Sequence, residues 1–372
     1  MILNRIQRYI FVKCLAALSL VIGVFIITIL LVDTVEQLRT VGTDIDLSPL
    51  AAIQLASMKL PSLIEQTLPF AILVAAMITY NQLSKTSELS VIRATGLSAW
   101  QFLAPTVLLA VLLGFFSMMV LNPAGAILTE RFESTRSSLL EASGQRAQSP
   151  RENIWLRQGS DEGQIVIHAQ EVDSTGQIFT GVKFLEEGRV YNGLRPTDKY
   201  EFIRRIDAKE ARIVDGFWQL SNIVENTPDN PPHRMEKLAI ETDLDPNTLL
   251  TRFTSPDTVG FWGLPYFINQ TSLAGLDSSR FVMRWFALTA LPVLYTAMAL
   301  IGAIVCLRLS RLGGTSQLIA AGSFSAVGLF FVTQLSSSLG SSGAVAPLIA
   351  AWSPALCALF IALSILAYKE DG

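Results

Sequence analysis

Long apolar runs joined by short polar segments make up most of this chain, except for one central stretch of roughly 130 polar residues. A helix needs about 20 apolar residues to cross the hydrocarbon core of a bilayer. Six runs meet that length, at about residues 11–32, 60–83, 102–121, 281–307, 318–335 and 346–368. The pattern allows the second helix to start as early as Ser48. The order is therefore three spans, a polar domain and three more spans.

The central stretch has a different period. "NIWLRQ", "GQIVIHAQEV", "GQIFTGVKFLEEG", "IDAKEARIVDGFWQLSNIVE" and "MEKLAIETDL" alternate partially between apolar and polar residues, and Gly, Pro, Asn and Asp separate them. Several short strands at this spacing predict an antiparallel sandwich, jelly roll or open barrel. The expected fold is an α-helical polytopic membrane protein of six transmembrane helices, 3+3, with an inserted all-β jelly-roll-like domain. Expected boundaries are 1–123 for the first helical part, 124–255 for the β domain and 256–372 for the second helical part. Ahead of the fourth span, residues 257–281 pattern as an interfacial amphipathic helix, with Trp262, Tyr266 and Phe267 suited to the headgroup region.

Composition agrees with a membrane location. Only 16% of the 372 residues are charged against 51% hydrophobic, with a mean hydropathy of +0.44. A soluble domain carries nearer a quarter charged. The net charge of −3 excludes a broad nucleic-acid-binding surface. Cys14, Cys306 and Cys357 all fall in apolar runs, so no disulfide framework is expected in the polar domain. The first run is too long for a cleaved signal peptide, and no small-residue cleavage site follows it.

Lys and Arg in the short joints set the expected orientation. Arg5, Arg8 and Lys13 precede or open the first span, Lys85 and Arg93 lie between the second and third, Arg308 and Arg311 between the fourth and fifth, and Lys369 after the sixth. Six spans put all of these on one side, the cytoplasm. Both termini are then cytoplasmic and the β domain lies outside.

Several chemistries lack their motifs. The chain contains no G-x-x-x-x-G-K-[ST] phosphate loop, no H-E-x-x-H, no C-x-x-C and no G-x-S-x-G. His168 and His233 read as surface or strand residues of the β domain. An enzyme is not expected, and no cofactor is expected in this chain. The spans have no ionisable residue near their centres, and Glu65 and Arg284 fall near the outer ends. Ion-coupled carriers use intramembrane carboxylates, so self-powered transport is disfavoured.

The joint between spans two and three, "SKTSELSVIRATGLSAW", carries a small helix over about 86–96. Thr86 can cap it, Glu88 suits its first turn, and Gly96 suits the left-handed position past its end. Glu88 and Arg93 are five residues apart, about 140° around the axis, so they cannot pair with each other. Leu89, Val91, Ile92 and Ala94 give more apolar surface than a free loop requires. Such a helix either lies on lipid headgroups or docks into a groove on a cytoplasmic partner, as a transporter with a separate ATPase motor would need.

Three stretches carry a specific resemblance: "LVDTVEQLRTVG" closing the first span, "SELSVIRATGLS" in the joint, and "PLIAAWSPAL" in the sixth span. With the 3+3 order, the whole chain resembles the lipopolysaccharide export permeases of the YjgP/YjgQ (LptF/LptG) family. The first and last stretches are most similar to the LptG branch. The resemblance implies an ABC-transporter permease that extracts lipopolysaccharide from the outer leaflet of the inner membrane and passes it to a periplasmic bridge. The implied partners are the sister permease LptF, two copies of the ATPase LptB (which would hold ATP and Mg), and the bridge proteins LptC and LptA. It also implies that the joint is the coupling helix, with Glu88, Leu89, Ile92 and Arg93 meeting the ATPase, and that spans one and five form a lateral gate.

Substrate and gate candidates follow: Thr28 and Leu31 on span one, Phe331 and Gln334 on span five. Family members often carry several basic residues at the outer end of span one. Here Asp33 and Glu36 stand there beside Arg39. Arg131 and Arg136 are the further candidates for lipid phosphates; the alternative is that these arginines snorkel to ordinary anionic lipid or pair with Asp33, Glu36, Glu130 or Glu133. In the β domain Trp155, Phe179, Phe184 and Trp218 either line a groove for acyl chains or form the core. Two other functions stay open: an ABC permease for another lipid or a lipoprotein, and a non-transport membrane scaffold or sensor.

Overall fold

The computed structural model describes residues 5–40, 48–142, 154–159, 163–172, 178–192, 195–214, 216–228, 230–242, 255–273, 277–309 and 315–370. They divide into two compact units, Met1–Arg136 with Ser255–Gly372, and Ser137–Thr254.

In the first unit six helices are long and apolar enough to cross a membrane. Helix α1 is Arg5–Thr40 and α2 is Pro49–Lys85. The short α3, Glu88–Ala94, precedes α4, Ala99–Phe116. A π-helical turn, Ser117–Leu121, links α4 to α5, Asn122–Ala142. After the β domain come a 3₁₀ turn, Pro256–Thr258, and α6, Leu264–Leu273. The last three spans are α7, Ser279–Leu309, α8, Thr315–Ser341, and α9, Pro347–Glu370. Arg311, one of the orientation markers, lies outside the described residues.

Local chemistry sets the helix starts. The Ser48 hydroxyl accepts a hydrogen bond from the Ala51 N–H at 3.2 Å, and Pro49 follows at the first helical position. Gln101 Oε1 accepts from the Ser98 N–H at 3.3 Å ahead of α4. Glycines let spans approach closely. A Cβ on Gly302 of α7 would stand 2.5 Å from the Leu73 carbonyl oxygen of α2.

The third span does not stop near residue 123. Its helix continues through the π turn into α5, so residues 124–136 belong to the helical unit and the second unit starts at Ser137. The extra residue of a π turn leaves carbonyls in need of donors. The Trp262 indole N–H donates to one of them, the Met119 carbonyl, at 3.3 Å; the Tyr295 hydroxyl separately donates to the Ser117 side-chain hydroxyl at 3.1 Å.

The second unit is one antiparallel sheet. Its strands are β1 Ile154–Gly159, β2 Gly163–Ala169, β3 Glu171–Val172, β4 Ile178–Asn192, β5 Arg195–Val214, β6 Phe217–Thr227 and β7 Asn230–Glu241. They pair in the order β1-β2-β4-β5-β6-β7, with β3 also on β4. β2 and β3 follow one another along β4, every other connection among the described strands is a meander step, and none is the Greek-key return of a jelly roll.

Alternation slips in one row of this sheet. Buried positions run Phe179, Val182, Phe184 on β4; Ala208, Ala211, Ile213 on β5; and Trp218, Leu220, Ile223 on β6. Each strand skips a residue there, at Gly181 with φ +60°, at 209–210, and at Asn222 with φ +54°. Phe179 and Phe184 meet Trp218 edge to face, with centroids 4.9 and 5.5 Å apart. These three belong to the buried core, with Ile167, Ile206 and Leu220 among others. Trp155 is 61% exposed and lies against His168, with ring centroids 4.4 Å apart.

Candidate functional site

The joint helix α3 is shorter than expected and starts differently. Helix α2 runs on through Lys85, so Thr86 closes α2, its N–H bonding the Gln82 carbonyl at 3.0 Å. Ser87, in the left-handed conformation at φ +59°, makes the turn and stands at the N-cap. Gly96 ends the helix at φ +82°, as its position predicts.

Glu88 is satisfied from outside its own helix. The Tyr9 hydroxyl donates to its carboxylate at 2.9 Å and the Lys13 ammonium to both oxygens at 3.1 Å. Thr86 Oγ1 adds a fourth bond at 3.0 Å. Lys13 also sits 4.7 Å from the centre of the Tyr9 ring. The Tyr9 hydroxyl, and then Lys13, hold the Glu88 carboxyl below its usual range. Spacing rightly excludes Arg93 as a partner of Glu88; its charged and phenolic donors come from α1.

Leu89 and Ile92, expected at a partner face, turn inward at 7% exposure each and pack with Ile10 of α1, Tyr80 and Leu83 of α2, and Phe102 of α4. Outward are Ser90, Val91 at 64% exposure, Arg93 and Ala94. The Arg93 guanidinium lies 5.6 Å from the centre of the Phe102 ring. Between α3 and the start of α1 runs an open groove of about 410 Å³, lined by Arg5, Ile6, Tyr9, Val91, Ile92 and Thr95 among others.

The gate candidates lie on helices that do not pack mainly on each other. Helix α1, carrying Thr28 and Leu31, packs on α2 and α4; α8, carrying Phe331 and Gln334, packs mainly on α7 and α9 and also touches α2. All four residues are exposed on apolar helix faces. Arg39 and Arg131 are exposed, and Arg136 is half-buried. Asp33, read as an alternative partner for these arginines, is buried and takes Lys59 of α2 at 2.8 Å.

Sequence reasoning left Glu65 and Arg284 apart, but the fold joins them. Arg284 of α7 donates to Glu65 of α2 at 2.9 Å, and Asn122 donates to the other carboxylate oxygen at 3.0 Å. The Asn122 side-chain Oδ1 accepts from the Phe261 N–H at 2.9 Å, and Asp257 lies 3.5 Å from the Arg284 Nε. The two residues are 219 apart in sequence, so no local pattern signals the pair.

Among the described residues, six apolar helices split three and three by an antiparallel β domain, with a short docked helix after the second span, define a polytopic membrane protein. The model of the lipopolysaccharide export system permease LptF/LptG family matches residues 8–368, and the chain belongs to that family. It is similar to the lipopolysaccharide export system permease protein LptG of Haemophilus influenzae, 24% identical over 328 residues, which are 86% of this chain and 84% of that protein. The chain is thus a permease subunit of lipopolysaccharide export and a multi-pass protein of the inner membrane.

Proposed function

We propose that this subunit, as the LptG-type half of a heterodimer with LptF, draws lipopolysaccharide from the outer leaflet, driven by two LptB ATPases, one of which docks on α3. One observation carries the reading: α3 is anchored inward by Leu89 and Ile92 while Val91 and Arg93 stand outward beside an open groove. The docking surface is that outer face. ATP and Mg belong to LptB. The Lys and Arg bias of the short joints supports a cytoplasmic α3 and termini, with the β domain in the periplasm handing substrate to LptC and LptA.

An external motor fits the substrate. Each acyl CH₂ leaving the bilayer costs about 0.8 kcal/mol, so a lipid with dozens of them does not leave unaided. The exposed apolar faces of α1 and α8, with Thr28, Leu31, Phe331 and Gln334, supply the wall of a chamber shared with LptF. Arg39, Arg131 and Arg136 are the phosphate candidates at its mouth.

The test uses the complex co-expressed with LptF and LptB and reconstituted in vesicles holding lipopolysaccharide. Val91→Asp is expected to reduce LptB retention and lipopolysaccharide release together. Undiminished retention and release in Val91→Asp would remove α3 as the docking element. Phospholipid alone in the purified complex would favour a permease for another lipid.

A further inference from the structure

We infer that Tyr9 and Lys13 are positioning residues that clamp α3 to α1 through Glu88, so that α1 moves as a lever with the docking helix. The inference rests on the reading of α3 as the ATPase contact and assigns Glu88 an internal role in it.

Three observations on different residues agree. The Glu88 carboxylate takes hydrogen bonds from Tyr9 and Lys13, two side chains one helical turn apart on α1. Beneath them Leu89 and Ile92 share a core with Ile10 of the same turn. A polar and an apolar contact thus fix α3 to α1 side by side, and rotation of one without the other breaks both. Third, α1 is suited to carry a displacement. It is a single helix of 36 residues with no internal proline, whereas α2, α4, α7 and α9 each contain at least one. An unbroken helix rises about 1.5 Å per residue, which puts Thr28 roughly 22 Å along the axis from Lys13. Past its first turns the outward face of α1, with Leu20, Val24, Ile27 and Leu31, is exposed. A push on α3 therefore reaches the candidate gate residues through one rigid element.

The experiment compares wild type, Tyr9→Phe, Lys13→Glu, Glu88→Lys and the exchange Lys13→Glu with Glu88→Lys, each in the full complex in vesicles. Lipopolysaccharide released per ATP hydrolysed and LptB retention are measured, with hydrogen exchange of the α3 amides. Lys13→Glu is expected to keep LptB, to speed α3 exchange, and to lower release per ATP about two- to fivefold, the range that an exposed ion pair commands. Tyr9→Phe, which removes only a hydroxyl, shifts both in the same direction by less. The charge exchange restores both. The inference is overturned if Lys13→Glu and Tyr9→Phe transport like wild type, if Lys13→Glu sheds LptB, or if the exchange is no better than Glu88→Lys alone, since Glu88 then serves only the partner. Failure of the docking reading looks different: wild type retains no LptB, while α3 exchange still responds to Lys13→Glu and to the charge exchange.

Discussion

Replacing Arg284 with Met tests how the helical unit is held together. Glu65 is 6% exposed, and its carboxylate has two donors, Arg284 at 2.9 Å and Asn122 at 3.0 Å. The variant leaves the acid buried with a single neutral amide. Breaking a buried ion pair by removing one partner costs about 3–5 kcal/mol. Arg284 is a quarter exposed and its second partner Asp257 is mostly exposed, so the expected loss is near the lower end, about 3 kcal/mol. Removing both charges is milder, because hydrophobic residues of similar volume replace such pairs at little cost. The double variant Glu65→Leu with Arg284→Met should recover to within about 1–2 kcal/mol of wild type. Equilibrium unfolding of the full chain in mixed micelles of rising anionic-detergent content measures the order. A single variant within about 0.5 kcal/mol of wild type, the size of an ordinary surface change, would refute the reasoning. So would a double variant as unstable as the single.

Other perturbations probe separate parts. Gly302→Ala should cost about 1–3 kcal/mol of stability by forcing α7 from the Leu73 carbonyl; Gly328→Ala on α8, where a Cβ meets nothing within 4 Å, serves as the control in the same micelle titration. Trp218→Ala removes the ring that Phe179 and Phe184 pack against and should cost the β domain about 3–5 kcal/mol, read by limited proteolysis of the full chain. The Glu88 carboxyl is held below its usual range, so its clamp contributes above the unfolded carboxyl's pKa and is lost as pH falls through the folded one. Hydrogen exchange of α3, corrected for the intrinsic rate, should be unchanged from neutral to mildly acid pH and rise only in stronger acid; a rise in mildly acid buffer would contradict the bonds to Tyr9 and Lys13.

How much of this protein was readable before folding depends on the range of the interaction concerned. The six spans, the 3+3 order, the β character of the middle and the helix end at Gly96 follow from sequence alone. Apolar run length, period and backbone preference act over a few residues, and the bilayer permits few answers. The partial alternation in the central strands was readable too, but its cause was not. Gly181 and Asn222 fall in one row of a shared slip only once β4, β5 and β6 are paired.

Tertiary structure alone decided which faces look outward. On α3, the family resemblance put Leu89 and Ile92 on the partner face; Ile10, Tyr80 and Phe102 bury both and leave Val91 out. Helical spacing reports only neighbours on the same helix, so it excluded Arg93 for Glu88 and could not find Tyr9 and Lys13, which lie 79 and 75 residues away. The same limit hid the pairing of Glu65 with Arg284 and the run of the third span through a π turn into α5. A side chain's chemistry is written in the sequence, but the group that desolvates or neutralises it is chosen by packing between distant segments, and that choice exists only in the folded chain.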